Sequence, residues 1–401
     1  MSPPDLLSPQ YVRDPCPFYK SMRDEHPLFF DRGINAHVIS RYEDVERGLK
    51  SPAFSSRNYE WQLEPVYGRT IIQMDGKEHS AKRAIISPSL RGSALHDKIV
   101  PLIEQNAIEL IDMFRRRGEV DLVNEFTSRF PINVLASMLG LPREDHPRFR
   151  VWYRVLMAFF SNLARDPEVH EAGLRIKEDI AEYLRPIIAR RRINPGEDLL
   201  SMLCAVETDG VRMTDDEIVS FCRLLIGAAG ESVDRTMTNL FTRLVELPAQ
   251  MQQLRADRGL VDRAFIETLR HSPPGNMLMR VTSEAVDVTG GTIPAGATVA
   301  CVIGAANRDE RRFERPESFE ILREEIDIQR SFTAAAAHLT FGLGRHFCVG
   351  AMLAKAEMQV AVNLLLDAMP DARFADGVAP QEVGFIMRSP PTLRLRFTPA
   401  S

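Results

Sequence analysis

Nowhere in these 401 residues does an apolar run approach the roughly 20 residues needed to cross a bilayer. The opening Met1-Ser2-Pro3-Pro4-Asp5 carries neither the charge nor the apolar stretch of a signal peptide. Both absences predict a soluble, cytoplasmic protein with no membrane anchor. Cysteine is scarce as well: Cys16, Cys204, Cys222, Cys301 and Cys348 stand far apart and are odd in number. That spacing argues against a disulfide framework and for reduced thiols. No C-x-x-C pair occurs, so a zinc site would lack its usual anchor. A formal net charge of -5 gives no reason to expect nucleic-acid binding. No linker separates two halves, and 44% hydrophobic content suffices for a large core. One domain over residues 1–401 is expected.

Against this background one cysteine stands out. In Phe341-Gly342-Leu343-Gly344-Arg345-His346-Phe347-Cys348-Val349-Gly350, Gly342 and Gly344 can take positive φ, so the chain can bend sharply and bring its backbone close to a flat partner. After Gly350, Ala351 to Met358 is rich in helix formers, and Val349, Leu353, Ala356, Val360 and Leu364 recur at helical spacing. Cys348 is therefore expected at a helix start, where the dipole lowers a thiol pKa from roughly 8.5. A thiolate there is a nucleophile or a metal ligand. A core cysteine would not need the glycine-bracketed loop. Zinc held with His338 and His346 lacks a fourth ligand, and His346 is poorly placed as the base of a nucleophilic cysteine. Thiolate ligation of heme iron fits best, with Phe341 covering the sulfur and small residues admitting the macrocycle.

The pattern F-G-x-G-x-H-x-C-x-G resembles the heme-binding signature of the cytochromes P450, with each fixed position filled. The resemblance implies a heme b (iron protoporphyrin IX) monooxygenase of the soluble bacterial type, with Cys348 as the metal ligand and Phe341 and His346 beside the cofactor. It also implies a fold that is mainly α with small β-sheets, a long central helix over the heme and the cysteine loop beneath it.

The rest of the chain is read in that light. Helix is expected over about 75–270 and 350–370, with helical periodicity from about 93 to 190 broken at Arg117-Gly118, Gly140-Leu141-Pro142 and Asp166-Pro167, and β structure over about 28–40, 280–302 and 382–398. Residues 55–72 read as a polar, aromatic loop. Asp75 opens a helix that sets His79 and Arg83 four apart on one face, a pattern common on solvated surfaces. Two heme propionates would need such partners, and the resemblance assigns that role to His79, Arg83 and Arg280. Thr214 and Glu217 form a capping-box signal for a helix reaching about Leu247.

In the middle of that helix, Gly227-Ala228-Ala229-Gly230-Glu231-Ser232 is rich in small residues, which close helix packing alone would explain. The resemblance instead lays it across the distal heme face, with Ala228 beside the cofactor and Glu231 and Ser232 as the catalytic acid and hydroxyl. Serine here occupies the family's threonine place. Its hydroxyl still donates and holds water, but without the methyl its rotamer is less restricted, so leakier proton delivery is expected. Glu267 and Arg270 resemble the family's structural ion pair, with Arg315 or Arg323 as third partner.

The implied reaction is hydroxylation, or a related oxidation, of an apolar small molecule with O2. Met277, Leu278, Met279, Phe385 and Met387 are expected to border the substrate. No segment suits a flavin or iron–sulfur cluster, so electrons are expected from a separate ferredoxin and ferredoxin reductase, with Arg345, Lys355 and Arg115 to Arg117 as candidate docking charges. A monomer is expected. A peroxygenase using hydrogen peroxide and a non-catalytic heme sensor or binding protein are the alternatives.

Overall fold

Thr214 starts the element around which the others gather. Its hydroxyl accepts the Glu217 N–H at 3.2 Å, and the Glu217 carboxylate accepts the Thr214 N–H at 2.9 Å. This reciprocal cap opens a helix of 32 residues, Asp215–Glu246, about 48 Å long at 1.5 Å per residue. In the computed structural model, which describes residues 2–163, 165–208 and 211–399, most of that helix is buried. It packs against Phe130–Met138, His146–Phe160, Pro167–Ile193, Val261–His271 and Ala351–Ala368. The fold is mainly α with small β-sheets.

The largest sheet has five short strands, ordered Leu28–Asp31, Ala36–Ile39, Thr298–Cys301, Leu278–Thr282 and Phe54–Ser55. The pairing of Thr298–Cys301 with Ala36–Ile39 is parallel and the other pairings are antiparallel. A hairpin of Val286–Val288 and Gly291–Ile293 stands beside it.

Two local expectations are corrected. Residues 55–72 contain two short helices, Asn58–Gln62 and Glu64–Tyr67. They form because Tyr59 and Tyr67 insert into the core while Trp61 stays exposed, so the aromatic content reflected packing. The break expected at Arg117-Gly118 leads not to another helix but to the strand Glu119–Asp121, which pairs with Arg394–Arg396 near the C-terminus. A three-residue strand created by so distant a partner has no local periodicity to betray it.

Behind the sheet, Glu267 and Arg270 pair through two contacts of 2.7 Å and are fully buried. Arg323 completes the group, its Nε 3.2 Å from Glu267 Oε1, whereas Arg315 pairs with Glu320 on the surface.

Candidate active site

The cysteine loop bends where glycine permits. Gly342 and Gly344 have φ of 67° and 62°, and a Cβ on Gly344 would lie 3.3 Å from the Leu49 carbonyl and Lys50 Cα. The turn lets the Cys348 N–H donate to the Phe341 carbonyl at 2.7 Å. Helix Ala351–Ala368 begins three residues later, after Gly350. Cys348 lines a cavity of about 270 Å³, walled chiefly by apolar groups including Phe341, Phe265, Leu353, Ala228 and Ala229. The expected lowering of the thiol pKa is not what the site shows. Burial pushes the Cys348 thiol up, and the Gly350 N–H and the Arg83 charge pull only partly against it, because desolvation of an anion outweighs a single N–H and one cation.

Beside this loop the chain gathers cations. The His79 and His346 rings lie 4.4 Å apart. His346 Nε2 is 3.0 Å from Asp75 Oδ1 and 3.2 Å from Ser56 Oγ, and Arg345 reaches the same Asp75 oxygen at 3.1 Å. Burial raises the Asp75 pKa, but the hydrogen bonds from His346 and Ser55 and the Arg345 charge outweigh it and hold Asp75 at about 2. Burial, then the charges of His346 and Arg83, lowers His79 to about 4. Arg83 donates to the Phe347 carbonyl at 2.5 Å and Arg280 to the Met279 carbonyl at 2.8 Å. Among the described residues neither arginine pairs with a carboxylate, although Arg280 is only 4% exposed. A desolvated guanidinium with a lone carbonyl partner is costly. An anionic group with two carboxylates would satisfy this edge, so the residues present fit a heme.

On the long helix the small residues divide between two tasks. A Cβ on Gly227 would lie 2.8 Å from the Tyr67 hydroxyl, and one on Gly230 would lie 2.6 Å from Ile132 Cδ1, so both glycines serve close packing. Ala228, Ala229 and Ser232 line the cavity. Ser232 Oγ donates back to the Ala228 carbonyl at 3.0 Å. Glu231 does not line it; its carboxylate is buried and accepts from the Tyr153 hydroxyl and the Arg235 guanidinium.

Three residues were not singled out from the sequence. Asp234 and Tyr153 adjoin Glu231, and Glu357 lines the cavity, where burial pushes its carboxyl well above the usual range. Asp234 is legible in hindsight as an i, i+3 neighbour of Glu231, and Glu357 as an acid on the apolar face of its helix. Tyr153 comes from a distant element. Of the five residues expected to border substrate, Met387 lines the cavity with Pro274 and Gly275, while Met277 and Met279 are buried elsewhere. Arg345, Lys355, Arg115 and Arg117 each already hold a nearby carboxylate, which makes them weak docking charges.

A family model described as Cytochrome P450 matches residues 19–369. The chain belongs to the cytochrome P450 family. It is 39% identical over 394 residues to pulcherriminic acid synthase of Bacillus subtilis (strain 168), covering 98% of this chain and 97% of that one. Cyclomarin C epoxidase CymV of Salinispora arenicola (strain CNS-205) is 33% identical over 355 residues, 87% of each chain. The solved structure of cytochrome P450 CYP109Q5 from Chondromyces apiculatus matches with a TM-score of 0.88 at 29% identity, over 99% of both chains. This P450 is a heme-thiolate monooxygenase, and its family implies redox partners and a substrate. Among the described residues no helix is long and apolar enough to cross a membrane.

Proposed function

We propose that this P450 binds heme b through Cys348 and oxidises an apolar small molecule, using electrons from a separate ferredoxin and its reductase in the cytoplasm, as a single domain and a monomer. The observation that carries the assignment of the ligand is a lone thiol opening on an apolar cavity, next to arginines that no carboxylate among the described residues neutralises. His79, Arg83 and Arg280 would bind the propionates, with His346 holding Asp75 and Arg345 in place behind them. Phe341 shields the sulfur from water, and its ring is itself held edge-on by Phe265 and Phe347 at 6.1 and 6.0 Å. Thiolate-bound heme iron supplies the activation of dioxygen. Ala228 and Ala229 keep the helix surface low beneath substrate, and Ser232 lines the cavity with its hydroxyl bonded back to the Ala228 carbonyl, from where a turn of the side chain would offer it as a proton donor. Glu231, one residue away and paired with Arg235, would pass protons toward that hydroxyl.

The lining is apolar and Met387 closes one side, which supports an apolar substrate. A synthase of pulcherriminic acid and an epoxidase of cyclomarin C among the relatives support a small organic molecule. Replacing Cys348 by Ala tests the assignment. The variant is expected to lose the carbon monoxide spectrum of the parent and most of its heme; a variant that keeps both overturns it.

A further inference from the structure

Glu231 and Asp234 stand one helical turn apart on the long helix, and their residues are 4% and 8% exposed. Tyr153, from helix His146–Phe160, stands between them: its hydroxyl donates to Glu231 Oε2 and lies 3.4 Å from Asp234 Oδ2. The Thr127 hydroxyl donates to Asp234 Oδ1 at 2.6 Å and lies 3.0 Å from the Thr238 hydroxyl. Arg235 pairs with Glu231 Oε1 and donates to Ser389 Oγ at 2.9 Å. Tyr67, whose burial is compounded by the Glu231 charge, gives its hydroxyl to the Leu156 carbonyl at 2.8 Å. The groups facing the two carboxyls are thus one guanidinium, two phenols and uncharged hydroxyls.

One cation balances one carboxylate in so dry a site. A second carboxylate must hold a proton or remain uncompensated. Burial, then the Glu231 charge, pushes Asp234 up to about 7, and burial with both acids keeps the Tyr153 phenol protonated. The site therefore stores one acidic proton beyond the phenol's own, and it does so on the two acids that flank Ser232 along the helix. Structural need does not explain the second acid, since an asparagine would accept the same Thr127 bond.

We propose that Asp234 and Tyr153 form a proton store behind the Glu231–Ser232 pair, with Asp234 acting as a positioning residue for proton delivery. This rests on the monooxygenase reading above. In the transfer, the Asp234 Oδ2–H bond breaks as its proton moves to Tyr153 Oη, and the Tyr153 proton moves to Glu231 Oε2. No electrons change hands and the total charge is unchanged. Asp234 becomes the carboxylate, which the Thr127 hydroxyl stabilises, and Glu231 becomes the acid beside Ser232. Water protons reload Asp234 between turnovers. The pair titrates as a coupled unit, so replacing either member shifts the signal of the other.

The test uses the heme-loaded enzyme, followed by infrared spectroscopy as pH is varied. The parent is expected to show a protonated-carboxyl band that titrates near pH 7, absent in Asp234→Asn and displaced in Tyr153→Phe. In the same Asp234→Asn protein the share of reducing equivalents released as hydrogen peroxide is expected to rise severalfold, with heme content and carbon monoxide spectrum unchanged. A band titrating near pH 7 that survives in Asp234→Asn, or peroxide release equal to the parent, overturns the proposal. Should Asp234→Asn not fold, Tyr153→Phe removes only a hydroxyl, and an undisplaced band there is equally decisive. Loss of the carbon monoxide spectrum in the parent would instead defeat the heme assignment.

Discussion

Ser232 stands where the resemblance to the family puts a threonine, and its surroundings say what a serine does there. Its hydroxyl back-bonds to the Ala228 carbonyl at 3.0 Å, an arrangement helical serines adopt readily. The competing rotamer, aimed into the cavity, carries no steric preference because serine lacks the γ-methyl that restricts threonine. A hydroxyl divided between two positions delivers protons less reliably. Ser232→Thr is expected to reduce the fraction of reducing equivalents lost as hydrogen peroxide, measured as peroxide formed per reductant consumed. No reduction would mean that rotamer freedom is not the source of the leak.

Elements near the cysteine loop are held by a buried ionic knot rather than by apolar contact alone. Glu267 on helix Val261–His271 accepts from Arg270, from Arg323 and from the Glu320 N–H. Arg270 also donates to the Pro316 and Ser318 carbonyls at 2.7 and 2.8 Å. This ties the helix to the irregular stretch 307–323, which has little regular structure to support itself. Removing the carboxylate leaves the buried Arg270 guanidinium without a counter-charge and Arg323 with only Glu325 at 3.5 Å, which costs about 3–5 kcal/mol. Glu267→Ala is expected to be destabilised by that amount in urea unfolding, with Glu267→Gln losing less. A change within error of zero in the alanine variant would show that the carbonyl bonds alone suffice.

At the level of the whole molecule, buried titratable groups shape stability against pH. His338 is 1% exposed, with Nε2 3.1 Å from the Ser331 carbonyl and Nδ1 buried without a hydrogen-bond partner among the described residues. Burial lowers it to about 4. A histidine with a depressed pKa is neutral when folded and takes up a proton on unfolding between about pH 6.5 and 4. Its stability is thus lost as pH falls through that window, on the order of 3 kcal/mol for a shift of this size. Asp234 works the other way: raised to about 7, its contribution is full below its unfolded pKa and is lost as pH rises through about 7. The acid limb of a urea-midpoint profile is expected to flatten in His338→Gln, and an unchanged limb would assign acid unfolding to other groups.

Much of this was legible in the residues. The glycine-bracketed cysteine, the Thr214–Glu217 cap and the hairpin at 28–39 are local, since backbone φ, a reciprocal cap and alternation are written in neighbouring positions. What local order could not reveal was anything made by two distant segments. The choice of Arg323 over Arg315, the strand at 119–121, the direction of the Cys348 shift and the meeting of Tyr153 with Glu231 and Asp234 all depend on which surfaces packing brings together. Burial and partnership are properties of the folded interior, and the same carboxylate is a solvated charge or a stored proton according to what closes over it.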